Sequence, residues 1–271
     1  MQNVVILTGA GQIGVAIVRR IGYGKKIVIG DRRIENAQMV EKTLREAGFD
    51  AVSIEMNLAS RASIIEFLKE AVSYGEISTL VNAAGVSPSQ ASVETILRVD
   101  LYGTAVLLEE TGKVIKPYGT GVTISSQSGH RMKQLSEEEN RLLACTPAEE
   151  LRKLPMLQPE NIRDTLHAYQ LAKRCNEKRV MAEAVKWGAK KARINSISPG
   201  IIVTPLALDE FNGIRGEFYK DMFKKSPAGR PGTADEVANV AEFLLSSKGE
   251  FITGSDVLID GGATAAYFYG S

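Results

Sequence analysis

Cysteine and histidine are nearly missing from this chain. Its 271 residues hold two of each, Cys145 and Cys175, His130 and His167. Two cysteines in dissimilar contexts cannot build a disulfide framework and read as reduced thiols of a cytoplasmic protein. Two histidines leave little material for a structural zinc centre, so no metal is expected. Charge of one sign is lacking too. Lys and Arg number 33 against 32 Asp and Glu, a net charge of +1, whereas tracking nucleic-acid phosphates needs a strong basic bias. No apolar run nears the roughly 18 residues of a membrane span. Met1-Gln2-Asn3 leads straight into an apolar strand without the basic start of a signal peptide. Nucleic acid and membrane are therefore not expected as partners.

What is present is rhythm. Hydrophobic residues make up 44% of the chain, enough for a substantial core. Val4-Val5-Ile6-Leu7 is a short apolar run ended by glycine, as in a strand buried on both faces. Apolar residues at helical spacing follow to Ile21. Strands are predicted again at 26–30, 51–56, 79–81, 121–124, 193–197 and 256–259. Helices are predicted between them at 34–47, 62–72, 93–115, about 167–187 and 234–245. Such alternation predicts an α/β fold, a doubly wound parallel sheet in a single domain over 1–271. The exception is 131–166, with Glu137-Glu138-Glu139, three prolines and several leucines. It reads as a surface insertion of short helices, because the leucines need something to cover.

Strand one runs into Thr8-Gly9-Ala10-Gly11-Gln12-Ile13-Gly14, a G-x-G-x-x-G turn opening a helix. Glycine there permits the tight turn and lets backbone approach a pyrophosphate, which the unpaired N–H groups of the helix N-terminus receive. Asp31 ends the second strand, near the spacing at which a dinucleotide fold places an acid on the adenosine ribose. That favours NAD; Arg32 and Arg33 behind it leave NADP open.

Tyr169 and Lys173 stand at i and i+4 on one helix face. Free tyrosine, with a pKa near 10, is a poor base at neutral pH. A lysine cation, joined by the charge of an oxidised nicotinamide, favours phenolate, and such a phenol can exchange a proton with an alcohol or ketone. Ser125 and Ser126 end a strand at the carboxyl edge, where ligands bind in this architecture. Ser126 is suited to hold the substrate oxygen, and Ser125 is expected to cap or turn the chain.

Taken together these pieces resemble the short-chain dehydrogenase/reductase family over essentially the whole length. The resemblance extends through Asn82-Ala83-Ala84-Gly85, Arg193 to Gly200 with Thr204 beyond, Arg230-Pro231-Gly232 and Asp260-Gly261-Gly262. It implies a Rossmann-type sheet of about seven parallel strands and a nicotinamide cofactor, NAD by preference or NADP. It also implies Ser126, Tyr169 and Lys173 as the reacting set. The dinucleotide would be held by Gly9, Gly11, Gln12, Ile13, Gly14, Asp31, Arg32, Asn57, Leu58, Asn82, Ala83, Ala84 and Gly85. Tyr169, Lys173, Pro199, Gly200, Ile202 and Thr204 would complete its site.

Three departures stand out. The glycine turn is one residue shorter than the family's usual form. Asn57 replaces the usual Asp at the adenine. Asp100 replaces the tetrad asparagine that holds a relay water; its carboxylate could still accept from that water and hold Lys173 charged.

Ser126 and Tyr169 lie 43 positions apart, where the family typically has about a dozen residues. Similar insertions occur in members of the hydroxysteroid dehydrogenase/carbonyl reductase type. That likeness favours a bulky, apolar secondary alcohol or ketone such as a hydroxysteroid or bile acid. It also implies a homodimer or homotetramer and a substrate-side lid at about 205–225, with Phe211, Phe218, Tyr219, Met222 and Phe223. A sugar or polyol dehydrogenase, an acyl-carrier ketoreductase and a non-catalytic dinucleotide-binding redox sensor are the other readings.

Overall fold

The computed structural model describes residues 2–205, 207 and 216–270, with backbone alone at Phe218 and Tyr219. Chain order gives β1 (Asn3–Thr8), β2 (Lys26–Asp31), β3 (Asp50–Glu55), β4 (Glu76–Asn82), β5 (Thr120–Ile124) and β6 (Arg193–Pro199). The short β7 (Ile202–Val203), β8 (Gly232–Thr233) and the closing β9 (Asp256–Ile259) follow. Seven of these form one parallel sheet in the order β3-β2-β1-β4-β5-β6-β9. The expected single-domain doubly wound sheet is therefore present. Val4, Val5, Ile6 and Leu7 of β1 are fully buried, because helices cover both faces of a parallel sheet and every side chain of a central strand meets apolar neighbours.

Helices α1 (Gln12–Ile21), α2 (Ile34–Glu46) and α3 (Arg61–Ser73) connect the first four strands. The chain reverses its direction of winding between β1 and β4, and this opens a crevice at the carboxyl edge. The helix predicted over 93–115 is not regular. Its ends are α4 (Val93–Ile96) and α5 (Thr104–Val114), and between them Leu97–Gly103 winds as a π-helix. Gly103 lies so close to β3's continuation that a Cβ would sit 2.4 Å from the Leu58 carbonyl oxygen. The β7–β8 pair and the terminal helix Ala263–Tyr269 were not anticipated. Two-residue strands carry no periodicity, and the terminal helix mixes small and aromatic residues without an apolar stripe. Among the described residues no helix is long and apolar enough to cross a membrane.

The insertion is ordered. After α6 (Gln127–His130), α7 (Glu137–Cys145) starts at Ser136, whose hydroxyl accepts from Glu139 N–H while Glu139 reaches back to Ser136 N–H. The acidic run is thus the first turn of a helix, where negative charge opposes the dipole. Pro147, Pro155 and Pro159 precede or open further short segments, among them α8 (Ala148–Leu151). Leu143, Leu151 and Leu157 are buried in the main core. Underneath runs α9 (Thr165–Gly188), capped by the Asp164 carboxylate. Cys145 and Cys175 are free; burial pushes the Cys175 thiol up to about 12.

Arg179 on α9 nails the insertion down. It is 2% exposed, donates to the Ala144 and Thr146 carbonyl oxygens and pairs with Glu109 on α5 at 2.7 Å. Removing one partner of a buried pair leaves the others unsatisfied, so Arg179→Met is expected to cost about 3 kcal/mol or more. On the exposed face of α7, Arg141→Met should stay within about 0.5 kcal/mol. Urea unfolding of the two variants checks the contrast; equal midpoints would remove this account of how the insertion is held.

Candidate active site

The glycine turn is shaped by what crowds it. Gly9 has φ +85°, and a Cβ there would lie 2.6 Å from the Ala84 Cα. Only glycine satisfies both conditions. Gly14 is closed against Leu7 and Ala83, at 2.6 and 3.1 Å, which presses α1 onto the sheet. Gly11 faces open space, with nothing within 4 Å of a Cβ. A tight turn, a packed helix and one open position form a cradle that fits a pyrophosphate at the start of α1.

Asp31 is half-buried at the end of β2. Its Oδ2 accepts Ala10 N–H and its Oδ1 accepts Arg33 N–H, both at 2.9 Å. The carboxylate thereby fixes the turn to β2, while each oxygen keeps a lone pair for a ribose hydroxyl. Arg32 is exposed. On β4, Asn82 is buried and accepts from the Thr8 hydroxyl at 2.7 Å, and Ala83 N–H bonds Thr8 O at 3.0 Å. The Gly9 turn and the 82–85 segment therefore form one surface, as expected. Asn57 is exposed, and its Oδ1 accepts Ala59 N–H, so the side chain shapes its own turn. Leu58 is buried. Gly200 N–H bonds Ile259 O, and the Thr204 hydroxyl accepts Ala207 N–H.

The second half of the site lies where β5 meets α9. Lys173 is 5% exposed; its Nζ donates to Ile124 O at 3.3 Å and lies 5.3 Å from the centre of the Tyr169 ring. Tyr169 is half-buried. A Cβ on Gly85 would sit 2.9 Å from Asp100 Oδ1 and 3.5 Å from Lys173 Nζ, so both charged groups converge beside it. Burial opposes the Lys173 ammonium, but the facing Tyr169 and Asp100 outweigh it, and its pKa lies above the usual lysine value. Asp100 sits wholly buried in the π-helix, where its Oδ1 accepts Val86 N–H at 2.9 Å and its Oδ2 has no hydrogen-bond partner among the described residues. Burial lifts its pKa to about 6 against the pull of Lys173 and the Val86 N–H.

The expectation that Ser125 caps the turn is not met. Ser126, not Ser125, caps the turn: its Oγ accepts Ser128 N–H at 3.1 Å, opening α6. Ser125 is buried and donates to Lys173 O at 2.9 Å, locking β5 to α9. The half-buried Ser126 hydroxyl keeps its proton to donate.

A further cluster went unseen in the sequence. His130 Nε2 bonds Asp256 Oδ2 at 2.8 Å and lies 3.5 Å from Glu177 Oε1. Asp256 Oδ1 accepts from the Ser196 and Ser198 hydroxyls, and Arg174 holds the other Glu177 oxygen. The group ties α6, α9 and β9 together behind the site. Glu177 stands one turn after Lys173 and His130 one turn after Ser126, and that spacing was the only available signal. Phe211 of the expected lid lies outside the described residues; Met222 and Phe223 stand on the helix Gly216–Lys225.

Comparisons with known proteins agree with this geometry. The short chain dehydrogenase family model matches residues 3–136 and that of enoyl-(acyl carrier protein) reductase residues 156–264. The short-chain dehydrogenase/reductase bsc3 of Alternaria brassicicola is 39% identical over 265 residues, which span 97% of this chain and 96% of that one. The cis-4-hydroxycyclohexanecarboxylate dehydrogenase of Sinomonas cyclohexanicum is 26% identical, covering 97% of each chain. D-threitol dehydrogenase of Mycolicibacterium smegmatis is 28% identical, over 97% of this chain and 93% of that one. A short-chain dehydrogenase/reductase from Serratia marcescens superposes with a TM-score of 0.76 at 21% identity, covering 97% of this chain and 98% of that one. The chain belongs to the short-chain dehydrogenase/reductase family and is an NAD(P)-dependent oxidoreductase.

The rear cluster makes stability depend on pH. Burial, with Asp256 repulsion, lifts Glu177 from 4.5 to about 7, so folding favours its protonated form. That contribution fades as pH rises from about 4.5 to about 7. His130, raised through its bond to Asp256, contributes below its unfolded pKa and loses that contribution as pH climbs through the raised value. The signs agree. Unfolding free energy should fall between about pH 5 and 8, by up to about 3 kcal/mol from Glu177. Glu177→Gln should flatten that slope in urea titrations across pH, and an unchanged slope would contradict the assignment.

Proposed function

We propose that Tyr169 exchanges the proton of a secondary alcohol or ketone, that Ser126 holds the substrate oxygen, and that Lys173 and Asp100 set the charge behind them. The observation that carries this reading is the buried Lys173 ammonium 5.3 Å from the Tyr169 ring, at the sheet edge that also carries the glycine turn. Among the described residues the Tyr169 hydroxyl has no hydrogen-bond partner, so it is available to a substrate. Ser126 donates to the oxygen that develops or loses charge, an oxyanion-type contribution. Lys173 places positive charge beside the phenol, 5.3 Å from its ring centre. Asp100, with one oxygen unused beside Lys173, serves as acceptor for a relay water. Bound nicotinamide dinucleotide supplies the acceptor or donor of hydride. Gly9 to Gly14 would hold its pyrophosphate, Asp31 its adenosine ribose, Asn82 to Gly85 and Lys173 its interior, and Ile202 and Thr204 its carboxamide. Asp31 supports NAD over NADP, since a carboxylate there repels a 2′-phosphate.

For the substrate we favour a bulky, largely apolar ring alcohol, with a hydroxysteroid as the large extreme. Met222 and Phe223, beside a small pocket that includes Ile201, support it. The relative named for D-threitol keeps a polyol as the second reading.

The assay is reduced-cofactor absorbance with NAD and NADP against cis-4-hydroxycyclohexanecarboxylate, D-threitol, aliphatic alcohols and hydroxysteroids. Tyr169→Phe should lower turnover by about 10²–10⁴-fold. A variant as fast as the parent would sink the assignment. Tight dinucleotide binding without turnover would indicate a sensor, and tighter NADPH than NADH would overturn the role given to Asp31.

Asp100 is ionised above about pH 6, so kcat/KM should fall off below that pH as its charge is lost. Asp100→Asn should remove that acid limb from the pH–rate profile. An unchanged profile with full activity would exclude a role for the carboxylate.

A further inference from the structure

Arg131 is a cation that this scheme leaves unused, and its surroundings are unusual. It follows α6 directly. Its N–H bonds Gln127 O at 3.2 Å, and its carbonyl accepts Gln170 Nε2 at 3.3 Å. The residue is thus tied to the immediate neighbours of Ser126 and of Tyr169. Its guanidinium is half-buried, and its hydrogen-bond partners among the described residues are all uncharged. Nη2 donates to Gln127 Oε1 at 2.8 Å, Nε to the Thr264 hydroxyl at 3.1 Å and Nη1 to the Met222 sulfur at 3.5 Å. The Tyr267 ring centre lies 5.6 Å away.

Other partly or fully buried arginines are satisfied differently. Arg61, Arg174 and Arg179 each hold a carboxylate, and Arg193 donates to three main-chain carbonyl oxygens. No carboxylate among the described residues pairs with Arg131. Asp260 is near enough to be felt, but its oxygens accept Gly262 and Thr264 N–H at 2.9 and 2.7 Å. A thioether is a weak acceptor, so among the described residues Nη1 in particular lacks a partner of matching strength. Burying a charge without a counter-charge is costly, and a fork of N–H donors is shaped for a carboxylate.

The place of this fork is informative. Gln127 and Met222, two of its partners, also line the small pocket with Ile201, Ser226, Asp260 and Ala263, between α6 and the end of β6. Arg131 stands five positions after Ser126, at the other end of the four-residue α6, roughly 8 Å along an axis rising 1.5 Å per residue. We propose that Arg131 binds the carboxylate of the substrate, which makes the preferred substrate a hydroxy acid or keto acid whose carboxylate stands several bonds from the carbinol. This rests on the active-site reading above and narrows its substrate class.

The test uses the whole protein with NAD and three probes: 4-hydroxycyclohexanecarboxylate, its methyl ester, and cyclohexanecarboxylate, which has no carbinol to oxidise. The acid is expected to exceed the ester in kcat/KM by about tenfold to a hundredfold, as a charge-assisted fork requires. Arg131→Met should collapse that ratio toward one, and Arg131→Lys should restore part of it. Cyclohexanecarboxylate should bind the parent in the presence of NADH, by calorimetry, and should bind Arg131→Met at least tenfold more weakly. Turnover of acid and ester at equal rates by the parent overturns the carboxylate site and leaves the redox reading standing. Arg131-dependent binding of cyclohexanecarboxylate without turnover of either alcohol does the reverse. Absence of both binding and turnover overturns the carboxylate site, and the variant's folding does not enter that outcome.

Discussion

Keeping one ammonium charged inside the protein is the constraint on which this site is built. Lys173 is buried under a helix and a sheet edge, where desolvation alone would strip its proton. The ammonium survives because Tyr169, Asp100 and the Ile124 carbonyl converge on it. Asp100 in turn is wholly buried and holds its own charge only against Lys173 and one backbone N–H. Neither group would be tolerated there alone. This mutual dependence explains a carboxylate at a position where an amide would avoid the burial of charge.

The same dependence explains the irregular helix. A seven-residue π-helical stretch in the span 93–114 is energetically poorer than continuous α-helix, and such bulges persist where they place a functional group. Here it carries Asp100 to Gly85, beside Lys173. Gly103, without a side chain, lets the widened turn lie against Leu58. Around this centre the sheet is cross-tied by hydrogen bonds: Ser125 joins β5 to α9, and Thr8 joins β1 to Asn82. The proposed reacting groups Ser126 and Tyr169 stand just past the end of β5 and on one long helix.

What could be read from the chain follows from the reach of each signal. The strands, the glycine turn and the Tyr169–Lys173 spacing are local, and their boundaries in the structure differ from expectation by a few residues at most. Ser125 was expected to cap the turn and instead bonds across to α9, because a serine at a strand end can do either and the choice depends on where α9 lies. His130 meets Asp256 across 126 positions, and no short-range pattern announces that pairing. The scarcity of histidine argued only against a structural zinc centre and carried no information about one histidine meeting two acids. The acidic run 137–139 belonged to a capped helix and not to a solvated tail. Its meaning lay in Ser136, one residue before it.

The insertion adds a last step. Its leucines close the core over α9, and Arg179 fixes its base. Its first residue, Arg131, is held between the Ser126 helix and the terminal helix. An excursion anchored this firmly at its far end presents its near end in a defined position. A flexible loop could not hold a half-buried guanidinium against neutral groups, because the charge would swing out to water at little cost. That Arg131 stays inward therefore reflects the packing of three elements around it. The segment that lengthens the chain between Ser126 and Tyr169 thus also fixes Arg131 against the immediate neighbours of both.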